Sequence, residues 1–269
     1  MILYKYMSLA GAIKAIETSS IGFTHLEDFN DPFEGTSYGF KENSNSVLTP
    51  SIAKNACFNR FSRNYGVLSL TRQPLNSLMW SHYGDSHKGV VIGIDVNKAN
   101  FNSTSENFIP YQVGEVIYTS TKPNNDLNII NEEELLSIGK HISFQSDFFN
   151  LAKRAFLYKS SEWAYEEEVR VVKKISNLGS TYHSSKGRFG NFNIVRIEGR
   201  PLYCFSLPKG AITEVYLGKN IYKNISRTNL LTREEFDSLI NSWYNQNIEI
   251  YNCDCELNSW NLKKKIKSF

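Results

Sequence analysis

The sequence predicts a mixed α+β protein on three observations: short β-rich runs along most of the chain, amphipathic helical stretches between some of them, and no internal repeat. With 269 residues, 41% hydrophobic and 21% charged, the chain can bury a substantial core and is not of disordered composition. The expected organisation is one domain over residues 1–269, with its core at about 2–220 and a C-terminal helix and strand as an extension.

Residues 2–6 are apolar and aromatic and predict a first strand. Ser8 then precedes Leu9, Ala12, Ile13 and Ile16 at helical spacing, which predicts a helix capped by Ser8. A short strand is expected over 21–24. Asn30, Asp31 and Pro32 predict a turn, because Asn and Asp close local turns and Pro cannot continue a ladder. After a Ser/Asn-rich loop at 41–49, strands over 65–71 and 89–96 flank a short helix at 76–83. Polar loops at 97–107 and 119–131 surround a strand at 114–118.

Leu135, Leu136, Ile138, Ile142, Phe148, Phe149, Ala152 and Phe156 predict one amphipathic helix over 132–158. A strand over 167–173 and a basic Gly/Ser loop at 176–190 follow. Further strands are expected at 192–197, 201–207 and 212–217, then a helix at 233–246 and a strand at 248–253. Lys263, Lys264, Lys265 and Lys267 read as a solvated tail.

The net charge, 30 − 27 = +3, is too mild to mark a nucleic-acid coat or an acidic tail. Cys57, Cys204, Cys253 and Cys255 are too few and too irregularly spaced for a disulfide framework or a paired zinc motif. No stretch approaches the roughly 18 apolar residues of a membrane helix, and residues 7–13, between Lys5 and Lys14, lack a cleavage pattern. A cytoplasmic protein without a membrane partner is the expectation.

Three clusters could carry chemistry. In the first, Lys159 to Val172, a strand entered by Glu166 would place Glu166, Glu168 and Arg170 on one face. Two carboxylates beside a guanidinium suit proton acceptance or stabilisation of a developing cation, and they equally describe a solvated edge with an ion pair. In the second, Trp80 and Tyr83 stand three residues apart, as a core pair or as an aromatic face for a planar ring, with His82 and His87 as acid–base groups or structural donors. The third, Phe29 to Gly35, encloses Asn30, Asp31 and Glu34 between aromatics and also reads as an Asx turn. No metal site is expected.

The blocks Leu3-Tyr4-Lys5-Tyr6, Asn30 to Glu34, Met79-Trp80-Ser81-His82-Tyr83 with His87-Lys88-Gly89, and Lys159 through Trp163-x-x-Glu166-x-Glu168-x-Arg170 together resemble a widespread bacterial domain-of-unknown-function family. The likeness runs from about residue 2 to about 220, ending with Leu207-Pro208 and Ile212-x-x-Val215-x-x-Gly218. More distantly, an aromatic first strand, a central strand carrying Ser69 and a late Glu-x-Glu strand resemble ADP-ribosyltransferases, and the block Lys159 to Arg170 is similar to the Lys-x-x-Glu-Trp-x-x-Glu-x-Glu stretch of their nucleic-acid-modifying toxin branch.

That second resemblance implies an ADP-ribosyltransferase-like split β-sheet with flanking helices, gripping NAD as a substrate. It implies Glu168 as the catalytic glutamate, Ser69 as its support, and Tyr4, Lys5 and Tyr6 on the first strand of the NAD site, with Lys5 where many members have His or Arg. Asn30, Asp31, Trp80, His82 and Tyr83 complete the expected NAD-binding set. Glu168 would stabilise an oxocarbenium-like ribose, Glu166 would take the acceptor's proton, and Tyr83 or Trp80 would stack on nicotinamide. Arg170 would anchor Glu166 or bind pyrophosphate. The implied acceptor is a macromolecule, nucleic acid or protein, and the implied biology is a toxin or anti-phage effector with an antitoxin or defence-system partner. The alternatives are a catalytically silent nucleotide- or protein-binding module and, less favoured, a metal-dependent nuclease using Asp31, Glu34, His82 and His87.

Overall fold

The structure, a computed structural model, describes residues 1–42, 48–175, 192–197, 199–228 and 231–267. The chain opens with strand β1 (Ile2–Met7) and helix α1 (Leu9–Glu17), which starts where the Ser8 hydroxyl accepts the Gly11 N–H. Next come β2 (Ser20–Phe23), α2 (Pro50–Asn64), β3 (Tyr65–Thr71), α3 (Ser77–His82) and β4 (Val90–Asp95). The middle of the chain holds β5 (Ile117–Thr119), α4 (Glu132–Ser137), α5 (Phe149–Phe156), β6 (Tyr158–Ser160) and β7 (Glu168–Lys174). The last third holds β8 (Phe192–Ile197), β9 (Arg200–Ser206), β10 (Ile212–Leu217), α6 (Ile221–Thr228), α7 (Arg233–Tyr244), β11 (Glu249–Cys255) and β12 (Leu262–Ile266).

Seven strands form the main sheet in the order β12-β11-β10-β4-β1-β3-β7, antiparallel except for the parallel pair β10-β11. An antiparallel sheet, β2-β9-β8, is joined to β3 by the bridge Thr24↔Val67. Strands β5 and β6 form a parallel pair, and Glu115↔Val169 ties the segment before β5 to β7. The α+β expectation therefore holds, with a mostly antiparallel sheet as its frame.

Alternation along the strands divides the core. Leu3, Leu68, Leu70, Ile92, Val169, Val171 and Val215 face one side, where α1, α7 and the smaller sheet cover them. The other side carries two separate clusters. Tyr6, Trp80, Val91, Tyr216 and Tyr251 pack together over the β1 half, and Phe61, Tyr65, Phe108, Phe156 and Val172 over the β3-β7 half. This division matches the pairing. β1 pairs with β4 from Ile2↔Asp95 to Met7↔Val90, but it meets β3 at a single pair, Tyr4↔Thr71.

Four expectations need correction. The helix expected over 132–158 is two helices, α4 and α5: the chain leaves helical geometry at Ile138, with ψ 124°, and Gly139 follows at a positive φ of 93° that turns it away from the helix axis. Its apolar spacing persists because Ile138, Leu151, Ala152 and Phe156 still face one aromatic core. The strand expected at 114–118 is the shorter β5, preceded by a 3₁₀ turn at Tyr111–Val113. The lysine tail is strand β12, paired with β11 from Tyr251↔Ile266 to Cys255↔Leu262. Lys264 Nζ lies 4.1 Å from the Tyr251 ring centroid, and Lys267 donates to Asp237 at 3.1 Å.

Finally, Glu166 does not enter a strand. It ends a 3₁₀ turn, Ser161–Glu166, and Glu167 follows at φ 43°, so the alternation begins at Glu168. Helix α2 lies outside the expected elements; Thr49 accepts the Ile52 N–H, Pro50 opens the helix, and Ala53, Cys57 and Phe61 form its buried stripe. The loops expected at 41–49 and 176–190 lie largely outside the described residues.

Candidate functional site

A cleft of about 480 Å³ opens at the loosely joined seam between β1 and β3, within the roughly 300–1,000 Å³ typical of small-molecule sites. Consecutive residues line it from both strands, Tyr4, Lys5 and Tyr6 on one side and Ser69, Leu70 and Thr71 on the other. Neighbouring residues of one strand, whose side chains alternate between faces, can border a single cleft where the strands part. Lys5 spans the seam, its Nζ donating to Ser69 O at 3.1 Å. Burial holds the Lys5 ammonium below its ordinary range, against the pull of Glu168 and Glu166.

Five charged side chains meet on the β7 side of the cleft. Glu34, Glu166, Glu168 and Arg170 are 5%, 3%, 4% and 0% exposed, and Lys159 is 8% exposed. Arg170 is the hub. Its Nε and Nη2 donate to the two oxygens of Glu168 at 2.8 and 3.0 Å, while Nη1 and Nη2 donate to Glu34 at 2.8 and 2.5 Å. Nη1 also donates to Phe156 O at 2.6 Å, and the Phe29 ring lies 5.1 Å from the guanidinium carbon. Lys159 Nζ donates to Glu166 at 2.6 Å and Glu168 at 3.2 Å, stands 3.7 Å from Glu34, and lies 4.9 Å from the Trp163 ring centroid.

Buried charges survive only when paired and hydrogen-bonded, and this cluster satisfies both conditions. Burial pushes the Glu168 carboxyl up, but Arg170 and then Lys159 outweigh it and bring it down to about 2. Ser69 lies near enough to add to that lowering without completing a hydrogen bond of full geometry. Burial likewise opposes the charge on Lys159, and the attraction of Glu168, Glu166 and Glu34 more than offsets it.

Backbone register explains the convergence. Thr71 pairs with both Tyr4 and Glu168, so these three residues form one row across β1, β3 and β7. Thr71 Oγ1 donates to Glu166 O at 2.5 Å, tying the 3₁₀ turn to the sheet. The Glu168 N–H donates to Tyr118 Oη at 2.9 Å.

Most expected site residues gather here. Tyr4, Lys5, Tyr6, Asn30, Ser69, His82, Tyr83, Glu166 and Glu168 all line the cleft. Tyr83 Oη donates to Glu166 at 2.6 Å and receives Asn30 Nδ2 at 3.3 Å, while His82 is exposed at the rim. Trp80 does not reach the cleft. It is fully buried against Tyr6, with its indole N–H donated to Pro74 O at 3.0 Å, so it cannot stack on a ligand ring. Asp31 is also absent from the lining and instead accepts the Phe33 N–H at 2.9 Å, as an Asx turn requires.

Arg170 is fully buried outside the lining, which leaves it no access to a pyrophosphate, and it anchors Glu168 and Glu34 rather than Glu166. The nuclease constellation is not assembled: Glu34 is bound to Arg170, His87 contacts Ser81, and among the described residues no three His, Cys, Asp or Glu side chains could share a metal. Lys159 heads the block that supplies Glu166 and Glu168 without a role of its own in the sequence, and packing makes it the second cation of the cluster.

The fold and site define an α+β protein whose sheet parts at a cleft bordered by a buried cluster of carboxylates and cations. Within it, residues 79–171 match a family described as "Protein of unknown function (DUF2971)". That stretch carries Met79 to Gly89 and Lys159 to Arg170, while Asn30 to Glu34 fall outside it. No curated protein and no solved structure matches the chain. Among the described residues, no helix is long and apolar enough to cross a membrane.

Proposed function

We propose that this protein is an ADP-ribosyltransferase-like enzyme that cleaves NAD and transfers ADP-ribose to a macromolecular acceptor, nucleic acid or protein. The observation that carries the reading is Glu168, a buried carboxylate fixed through both oxygens and facing the cleft where β1 and β3 part. A carboxylate held at about 2 is an anion throughout the physiological range. It suits a reaction in which the ribose gains positive charge as nicotinamide leaves.

The surroundings support the same chemistry. Because Arg170 and Lys159 already hold Glu168, its charge and direction are set before a ligand arrives, which is the preorganisation that electrostatic catalysis needs. The parting of β1 from β3 is the arrangement expected of a split sheet, and Tyr4, Lys5 and Tyr6 supply the aromatic and basic lip expected of its first strand. A toxin or anti-phage role, with an antitoxin or defence-system partner, extends this proposal to its biology.

Purified protein and Glu168→Gln are incubated with labelled NAD and a cell lysate, following nicotinamide and label in the protein, DNA and RNA fractions. Label that depends on Glu168 establishes transfer and identifies the acceptor class. No nicotinamide release together with no NAD binding by calorimetry would end this reading.

A further inference from the structure

Glu166 is poorly placed to meet an acceptor directly. It is 3% exposed, and each of its oxygens already receives a donor, Oε2 from Lys159 and Oε1 from Tyr83, both at 2.6 Å. Tyr83 is different: it is only partly buried, lines the cleft and contacts Glu166 through its phenol oxygen. A phenol has one donor and two acceptor positions. In Tyr83 the donor serves Glu166 and one acceptor position takes Asn30 Nδ2, which leaves one acceptor position for a group arriving in the cleft.

We propose that Tyr83 is a catalytic residue that relays the acceptor's proton to Glu166, an assignment that rests on the transferase reading above. The acceptor, written X–H and including water, donates its hydrogen bond to Tyr83 Oη. As X forms its bond to the ribose carbon, the carbon–nitrogen bond to nicotinamide breaks and that electron pair returns the pyridinium to neutral nicotinamide. The X–H proton passes to Tyr83 Oη, and the phenol's own proton passes to Glu166 Oε1. Once the product has left, Glu166 returns the proton through Tyr83 to water in the emptied cleft, the reverse of the same path, so both groups end each turnover as they began.

Two features favour a relay over an ionised phenolate. Burial and the neighbouring Glu166 carboxylate both push the Tyr83 phenol up from its ordinary range, so it holds its proton until another arrives. Asn30 fixes the phenol oxygen from the cleft side, giving the exchange a defined geometry. Tyr83 is thus reassigned from stacking on nicotinamide to handling the acceptor.

The test follows single-turnover nicotinamide release from NAD in a dialysed lysate, in H₂O and D₂O, for the wild type, Tyr83→Phe, Glu166→Gln and the double variant, with NAD affinity measured alongside. The relay predicts that Tyr83→Phe slows release about 10²-fold, the scale of lost general-base catalysis, with NAD affinity changed less than about threefold. It also predicts that the double variant is no slower than either single one, as groups acting in one unit require. The wild-type rate should curve with deuterium fraction, showing two protons in flight, and the curvature should vanish in Tyr83→Phe. Unchanged release by Tyr83→Phe, additive effects, or loss confined to NAD affinity would overturn the relay and leave the transferase reading intact. A wild type that neither binds NAD nor releases nicotinamide would overturn both.

Discussion

Arg170 grips both oxygens of Glu168 from two residues along the same strand, at 2.8 and 3.0 Å, and two further hydrogen bonds bind Glu34, which is distant in sequence. One guanidinium therefore joins the turn after β2 to the start of β7. The planar fork of Arg permits this, whereas a Lys ammonium in its place could not offer two parallel donors to each of two carboxylates.

Removing that hub should be costly. Arg170→Met leaves Glu34 and Glu168 buried with Lys159, and Lys5 near Glu168, to oppose their charge, and breaking a buried pair from one side typically costs about 3–5 kcal/mol. The urea midpoint of the variant should fall accordingly at pH 7. A midpoint within error of wild type would mean that the carboxylates find other partners and that the cluster is not a stabilising unit.

Acid should unlock the same cluster. Glu168 sits at about 2 when folded, against an ordinary value of 4.5. A depressed carboxylate contributes stability that is present above its unfolded value and lost as pH falls through its folded one. The window is therefore about pH 4.5 down to about 2. Glu168→Gln removes this titration, so the stability difference between wild type and variant should shrink across that window. Denaturant melts at half-unit pH steps would show it, and a constant difference would argue against an ionised, paired Glu168.

For turnover, Glu168→Gln separates binding from chemistry. The amide keeps the shape but loses the charge that opposes the developing cation, so nicotinamide release should fall by at least about 10²-fold. NAD affinity should change little, because the favoured charge appears only on the way to product. Equal losses in affinity and rate would instead make Glu168 a ground-state binding residue.

Much of the site was legible because strand alternation is a local property. Glu168 and Arg170 share a face of β7 as period two requires, and the 65–71 strand that holds Ser69 is found where its β-rich composition places it. Glu166 reaches the same cluster by another route, a 3₁₀ turn followed by the left-handed Glu167, which alternation could not anticipate. Glu34 and Lys159 become partners only through tertiary packing, so their roles are not written in their neighbours. Trp80 shows the converse problem. Its spacing from Tyr83 is compatible with a ligand face or with the core, and only the packing of α3 against Tyr6 decides for the core.

The alignment of β7 also depends on Gly114. Its carbonyl accepts the Arg170 N–H at 2.8 Å, and the chain passes so close to β7 that a Cβ at this position would sit well inside contact distance of the Arg170 carbonyl oxygen. Gly114 has no positive φ, so its requirement is space rather than backbone freedom. Because the obstructing atom is backbone, Gly114→Ala must push the Gly114 segment away from β7, at about the 1–3 kcal/mol typical of overpacking. For a chain of this size that corresponds to a Tm loss of roughly 2–4 °C per kcal/mol. Because that segment bonds to the Arg170 N–H of β7, its displacement loosens the strand that carries Glu168 and Arg170, so nicotinamide release should fall together with Tm. A Gly114→Ala protein with wild-type Tm and turnover would show that this close approach is not needed to hold the cluster.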